Sequence, residues 1–139
     1  MEKFPSLVAD IMSTPAIQVD VGTNIRDTAL LMTDKRIGSV VVTAMGKPVG
    51  IVTKRDIIMK VVALCRDPCA TEVNSIMSAP LIMVSKDMGI LAAMRKMKEN
   101  VITQLVVMDG DKLVGVVSER DMVKAFSLAS ISSFSTILR

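Results

Sequence analysis

The sequence predicts an α/β (α+β) fold made of two tandem β-α-β-β-α motifs, packed sheet to sheet with pseudo-twofold symmetry. Three observations carry that expectation. The stretch Gly50-Ile51-Val52-Thr53-Lys54-Arg55-Asp56 returns as Gly115-Val116-Val117-Ser118-Glu119-Arg120-Asp121, a displacement of 65 from position 50 to position 115. The same displacement holds without a gap through the sequence on either side, as an internal duplication requires. In each half the apolar spacing switches between that of strands and that of helices in the same order.

Each half opens on a short helical lead-in, around Leu7 to Met12 and around Glu72 to Met77. Ile11-Met12-Ser13-Thr14-Pro15 then returns as Ile76-Met77-Ser78-Ala79-Pro80. After each proline, Ile17 and Val19, matched by Ile82 and Val84, give a short strand with apolar residues at every second position. Ile25, Ala29 and Met32, matched by Ile90, Met94 and Met97, are spaced by four and then three residues, one face of an amphipathic helix. Val40-Val41-Val42 and Leu105-Val106-Val107 are apolar at consecutive positions, which predicts a strand covered on both sides. Turn formers follow, Gly46-Lys47-Pro48 and Asp109-Gly110-Asp111, and close hairpins onto the Gly50 and Gly115 strands. Ile57, Ile58, Val61 and Val62 then set an apolar face on a helix ending near Asp67-Pro68, and Met122, Val123 and Phe126 repeat its start. These elements divide the chain into a first motif with its lead-in (1–67), a second motif (68–127) and a tail outside the repeat (128–139). The segment Arg66 to Thr71 links the halves and is too short to make them independent. A half of roughly 60 residues covers one face of its sheet with helices and leaves the other apolar, so the halves are expected to pair.

Composition narrows the function. The 139 residues suit one compact domain; half are hydrophobic, yet the only aromatics are three Phe, so Val, Ile, Leu, Ala and twelve Met must fill the core. Seventeen Lys and Arg stand against fourteen Asp and Glu. A net charge of +3 with no basic block gives no reason to expect nucleic acid or a membrane as partner. Met1-Glu2-Lys3-Phe4-Pro5 does not read as a signal peptide, and the longest uncharged run, Ala125 to Leu138, is too short and too rich in serine to cross a bilayer. A cytoplasmic protein is expected. Cys65 and Cys69, with no histidine in the chain, cannot build a four-ligand zinc site; they read as reduced thiols at a helix end, or as a local disulfide or redox pair. No histidine, cysteine-base pair, Walker loop or metal-binding acidic pair supplies catalytic chemistry. Asp109 and Asp111 flank Gly110 as a turn, and an enzyme is not expected.

The repeated motif itself admits two readings. Thr53 followed by Asp56, and Ser118 followed by Asp121, are what a helix start needs: a hydroxyl N-cap and an acid at N3 that also favours the positive end of the helix dipole. The other reading is a nucleotide site. Gly50 and Gly115 stand where close approach of a backbone or a ligand excludes a side chain. Amide hydrogens free at the helix start, with the Thr53 or Ser118 hydroxyl, suit a phosphate. Lys54, Arg55 and Arg120 add positive charge, and Asp56 or Asp121 suits the two hydroxyls of a ribose.

The proline-led strand, the Gly-apolar-apolar-Thr/Ser-x-x-Asp motif and the element order resemble a tandem pair of cystathionine-β-synthase (CBS) domains, the Bateman module. The resemblance runs from about Asp10 to Phe126. It implies adenosine derivatives bound in two clefts between the paired motifs: AMP, ADP or ATP, with no other cofactor required. By resemblance, Asp56 and Asp121 hold ribose hydroxyls. Thr53 and Ser118, flanked by Lys54-Arg55 and Glu119-Arg120, hold phosphate. Ala16, Ile17, Leu81 and Ile82, with Ile37 and Ile102, sandwich the base. Two cations in the first copy against a cancelling pair in the second predict that the Thr53 site prefers the more phosphorylated ligand. The resemblance further implies a regulatory, energy-sensing protein that signals to a protein partner by conformational change and forms a homodimer. The dimer faces would be the helices carrying Ile25 to Met32 and Ile57 to Val62, with their repeats. The tail, with Leu128, Ile131, Phe134 and Leu138, is a docking or dimer-capping helix or a disordered end. The alternative is a non-catalytic interaction module that binds S-adenosylmethionine, nucleic acid or no ligand.

Overall fold

Runs of β-branched residues place the central strand of each sheet where the spacing predicts it. The computed structural model describes residues 5–127; the expected tail, with Leu128, Ile131, Phe134 and Leu138, lies outside the described residues. In chain order the first elements are α1 (Val8–Ile11), β1 (Gln18–Asp20), α2 (Ile25–Lys35), β2 (Ser39–Ala44), β3 (Lys47–Thr53) and α3 (Lys54–Ile57). α3 runs on as a π turn through Ile58–Val62, and a 3₁₀ turn follows at Val73–Ser75. The later elements are β4 (Met83–Ser85), α4 (Ile90–Asn100), β5 (Gln104–Asp109), β6 (Lys112–Ser118) and a helix α5 over residues 119–127.

The chain divides into two compact units. One is Ala16–Leu81; the other joins the described residues up to Pro15 to those from Ile82 on. The sequence repeat and the compact unit are therefore different divisions of the chain. The lead-in at α1 packs in the unit of β4 to β6, where Val8 N–H donates to Met88 O at 2.8 Å and Ser13 N–H to Val116 O at 2.9 Å. The lead-in at Val73–Ser75 packs in the unit of β1 to β3, where Val73 N–H donates to Thr23 O at 2.8 Å and Ser78 N–H to Ile51 O at 2.9 Å. Both lead-ins are shorter helices than the sequence predicts.

In the Ala16–Leu81 unit the sheet order is β1-β2-β3, with β1 parallel and β3 antiparallel to β2. Val40, Val41 and Val42 are 0% exposed, so β2 is covered on both faces. α2 makes the crossover from β1 to the parallel β2, as such a connection demands. Asn24 caps it by accepting the Asp27 N–H at 2.8 Å, and Arg36 ends it at φ 54. Ile25, Thr28 and Met32 are the buried positions of α2, and Ala29 is only partly buried. The hairpin turn uses Met45 and Gly46, both at positive φ, so Lys47 and Pro48 already belong to β3. Two left-handed residues are what a tight hairpin needs, and the turn lies one residue earlier than Gly46-Lys47-Pro48.

The other unit repeats this plan, with order β4-β5-β6 and the same register shift in its hairpin, between Val107 and Met108. Val8, Ile90, Ala93, Met97, Leu105, Val107, Val117 and Met122 belong to its core. α4 is less well terminated than α2. Gly89 offers no side-chain cap, and the β-branched Val101 takes the left-handed position at φ 53.

One expected dimer face is corrected, and one expected core-facing stripe is narrower than the spacing implies. Ile25 and Met32 are at most 3% exposed, so that face of α2 is already buried within its own unit. From Ile57 to Leu64 only Val61 is fully buried; Ile58 and Val62 are 59% and 65% exposed, and Met59 and Leu64 are exposed beside them. The wider π turn, in which Ala63 N–H donates to Ile58 O at 2.8 Å, moves these residues off the α-helical stripe that the sequence implied.

Candidate functional site

β3 delivers Thr53 to the start of α3 with its backbone still extended, and there the capping box forms in full. Thr53 N–H donates to Asp56 Oδ2 at 2.9 Å, while Asp56 N–H donates to Thr53 Oγ1 at 3.1 Å. The second copy matches it: Ser118 N–H donates to Asp121 Oδ2 at 2.8 Å, and Asp121 N–H to Ser118 Oγ at 3.1 Å. The structural role of these four residues is thus real in both copies, and each carboxylate is held partly buried at the turn.

The helix starts are less open than the sequence implied. Lys54 N–H donates to Gly38 O at 3.0 Å and Glu119 N–H to Thr103 O at 2.9 Å. With Asp56 N–H and Asp121 N–H committed to the caps, a phosphate would find only part of the expected row of amide donors. The glycines also have a structural answer. A Cβ on Gly50 would collide with Met77 Sδ, and one on Gly115 would lie 2.8 Å from both Met12 Sδ and Ser13 O. The close approach is therefore made by each unit's lead-in segment, not by a ligand.

Lys54, Arg55, Glu119 and Arg120 are exposed, and Arg55 Nε donates along its own helix to Met59 Sδ at 3.4 Å. Ala16, Ile17, Ile37, Leu81, Ile82 and Ile102 are all partly buried. Ile17 and Ile37 pack against the core that holds Ile25 and Val42, and Ile82 and Ile102 against the core that holds Ile90 and Leu105. Two residues at these turns were missed from the sequence. Lys60 Nζ stands 3.1 Å from Asp56 Oδ1 and donates to Ile76 O at 2.9 Å. Its spacing of four from Asp56 is a readable signal for an ion pair on a helix. Gln104, the Cα partner of Ser118 across β5 and β6, has a buried Oε1 with no hydrogen-bond partner. No spacing announces it. Among the described residues no group of three or more His, Cys, Asp or Glu is placed to hold a metal, and both cysteines are free and exposed.

Known proteins share this architecture. An uncharacterized protein of Methanopyrus kandleri is 37% identical over 100 residues, 70% of this chain and 51% of that protein, so the chain spans about half the length of this relative. A CBS domain protein from Pyrobaculum aerophilum, solved in complex with AMP, superposes with a TM-score of 0.74 at 28% identity over 83% of this chain and 88% of its own. The CBS domain pair of protein MJ0100, solved with 5′-methylthioadenosine and S-adenosyl-L-methionine, superposes with a TM-score of 0.78 at 28% identity over 87% and 95%. The sequence profile of the CBS domain matches residues 8–63 and again 73–128. With the duplicated fold and the repeated turn both in place, the chain belongs to the CBS domain family, as a tandem pair.

Proposed function

We propose that this CBS pair is a non-catalytic regulatory module that binds an adenosyl ligand at its repeated turns and passes the occupancy to a regulated protein by conformational change. The observation that carries the reading is the pair of partly buried carboxylates, Asp56 and Asp121, each fixed beside a hydroxyl by the same cap. A family member of the same fold holds AMP and another holds 5′-methylthioadenosine and S-adenosyl-L-methionine. In this reading Asp56 and Asp121 take ribose hydroxyls, and Thr53 and Ser118, with Lys54, Arg55 and Arg120, take phosphate where the ligand has one. The partly buried apolar residues from Ala16 to Ile102 named above line the base. AMP, ADP and ATP are the preferred ligands.

A homodimer in the cytoplasm belongs to the same proposal. It is supported by the exposed Ile58, Met59, Val62 and Leu64, and no described helix is long and apolar enough to cross a membrane. A Val62→Asp variant that sediments as a monomer while the wild type sediments as a dimer would bear it out.

A thermal-shift series with AMP, ADP, ATP, 5′-methylthioadenosine and S-adenosyl-L-methionine tests the binding. Ligand at one hundred times its dissociation constant adds about 2.7 kcal/mol to stability. No shift with any of them would leave the second reading, an interaction module without ligand. That reading is favoured by one specific observation, the completeness of the caps.

A further inference from the structure

The two turns differ in what their polar atoms still lack. Asp56 is satisfied on both oxygens: Oδ2 accepts from the Thr53 backbone and hydroxyl at 2.9 and 3.1 Å, and Oδ1 faces Lys60 Nζ at 3.1 Å. Lys60 is itself fixed from a second side by Ile76 O at 2.9 Å. In the other copy the position of Lys60 is occupied by Ala125, which has no donor. Asp121 accepts the Ser118 N–H on Oδ2, and its Oδ1 has no partner among the described residues. Beside it, Gln104 brings a buried amide oxygen with no partner, where the first copy has the short Ser39 opposite Thr53. Facing residues of an antiparallel pair emerge on the same side of the sheet, so Gln104 and Ser118 share a face. A buried polar atom is ordinarily paired, so the unpaired Gln104 Oε1, next to a turn whose Asp121 Oδ1 is open to solvent, points to a ligand that pairs it.

We propose that the Ser118–Asp121 turn, completed by Gln104, is the primary ligand seat, and that Lys60 keeps the Thr53–Asp56 turn closed by occupying the Asp56 carboxylate. This rests on the adenosyl reading above and gives its two sites different roles. Asp121 Oδ1 accepts from a ribose hydroxyl, and the Gln104 amide pairs with a second polar group of the ligand. A ligand entering the first turn must displace an ammonium already bound there, whereas one entering the second displaces nothing of the protein's own. Lys54 and Arg55 stay exposed beside the first turn, so once Lys60 is gone that turn favours an anionic ligand.

Calorimetric titration of the full chain with AMP and with uncharged 5′-methylthioadenosine tests this, with folding of each variant checked by circular dichroism. The wild type should take up one equivalent. Asp121→Ala should weaken it at least about tenfold and Gln104→Leu about tenfold, each a larger loss than Asp56→Ala brings. Lys60→Met should add a second equivalent, filled better by AMP than by 5′-methylthioadenosine. Two equal sites in the wild type, or loss of the first equivalent in Asp56→Ala with retention in Asp121→Ala, would sink this inference and leave the adenosyl reading standing. Gln104→Leu binding like the wild type would likewise overturn it. No binding by the wild type and by Lys60→Met would remove both readings together.

Discussion

The turns at Thr53 and Ser118 are built from one capping box, and the Ala16–Leu81 unit and its counterpart are built from one element order. Yet three local differences leave the first unit the better satisfied. It has Asn24 where the second has Gly89, Arg36 where the second has Val101, and Lys60 where the second has Ala125. Satisfying a group removes it from recognition, so in the reading proposed above unequal satisfaction would give the two copies of one structural device different capacities to bind. The same logic makes the second unit the one whose stability can be raised or lowered most by single changes.

The largest contrast should come from the central strands. Leu105 and Val40 occupy the same place in the two units, both 0% exposed. Leu105→Ala should lose about 3 kcal/mol and Val40→Ala about 2 kcal/mol, from the larger cavity that the leucine leaves. Urea denaturation of both variants measures it, and equal losses would contradict the cavity account.

The glycines come next. Gly115→Ala places a methyl group against the Ser13 carbonyl, part of a backbone bridged to Val116, whereas Gly50→Ala meets the side chain of Met77. About 2–3 kcal/mol is expected for Gly115→Ala and about 1–2 kcal/mol for Gly50→Ala, from overpacking. A double variant Gly50→Ala, Met77→Ala that recovers stability relative to Gly50→Ala alone would locate the clash.

Removing a cap costs less. Ser118→Ala should cost about 1 kcal/mol in the same denaturation experiment. Thr53→Ala should cost about as much, since both hydroxyls accept the N–H three residues on. The smallest effect has the opposite sign. Val101 holds a left-handed conformation that strains a β-branched side chain and is 90% exposed, so nothing packs against the side chain that would be lost. Val101→Gly should gain about 0.5–1 kcal/mol. Arg36→Gly should gain less, since a residue without β-branching is less strained there. A loss of stability in Val101→Gly would show that the unequal helix ends do not matter.

Much of the fold was legible because it is written in residue types that act locally. Three consecutive β-branched residues at Val40 to Val42, or spacing of four and three at Ile25 to Met32, constrain a strand or a helix wherever they occur. The turn at Met45 was not legible, since methionine has no preference for positive φ and the tight hairpin alone puts it there. Nor was the π turn after α3, since no residue type in Ile58–Val62 marks one. Gly50 and Gly115 announced a close approach but not the methionine lead-ins that make it. The site was half legible for a related reason. Thr53 with Asp56, and Ser118 with Asp121, are adjacent enough for spacing to reveal them. Gln104 and Ser118 meet only through the register of β5 on β6, which a linear pattern does not carry.

The crossing of lead-ins also sets an order of events during synthesis. Ala16–Leu81 is contiguous and has all of its strands once Leu81 is made, whereas α1 belongs with strands that begin only at Met83. At roughly 5–20 residues per second, α1 waits several seconds for its sheet, exposing Val8 until the C-terminal half is translated. The newborn chain therefore carries one unit complete in its strands with α1 still unpaired ahead of it, and a pause or truncation near β4 would leave α1 open to chaperones.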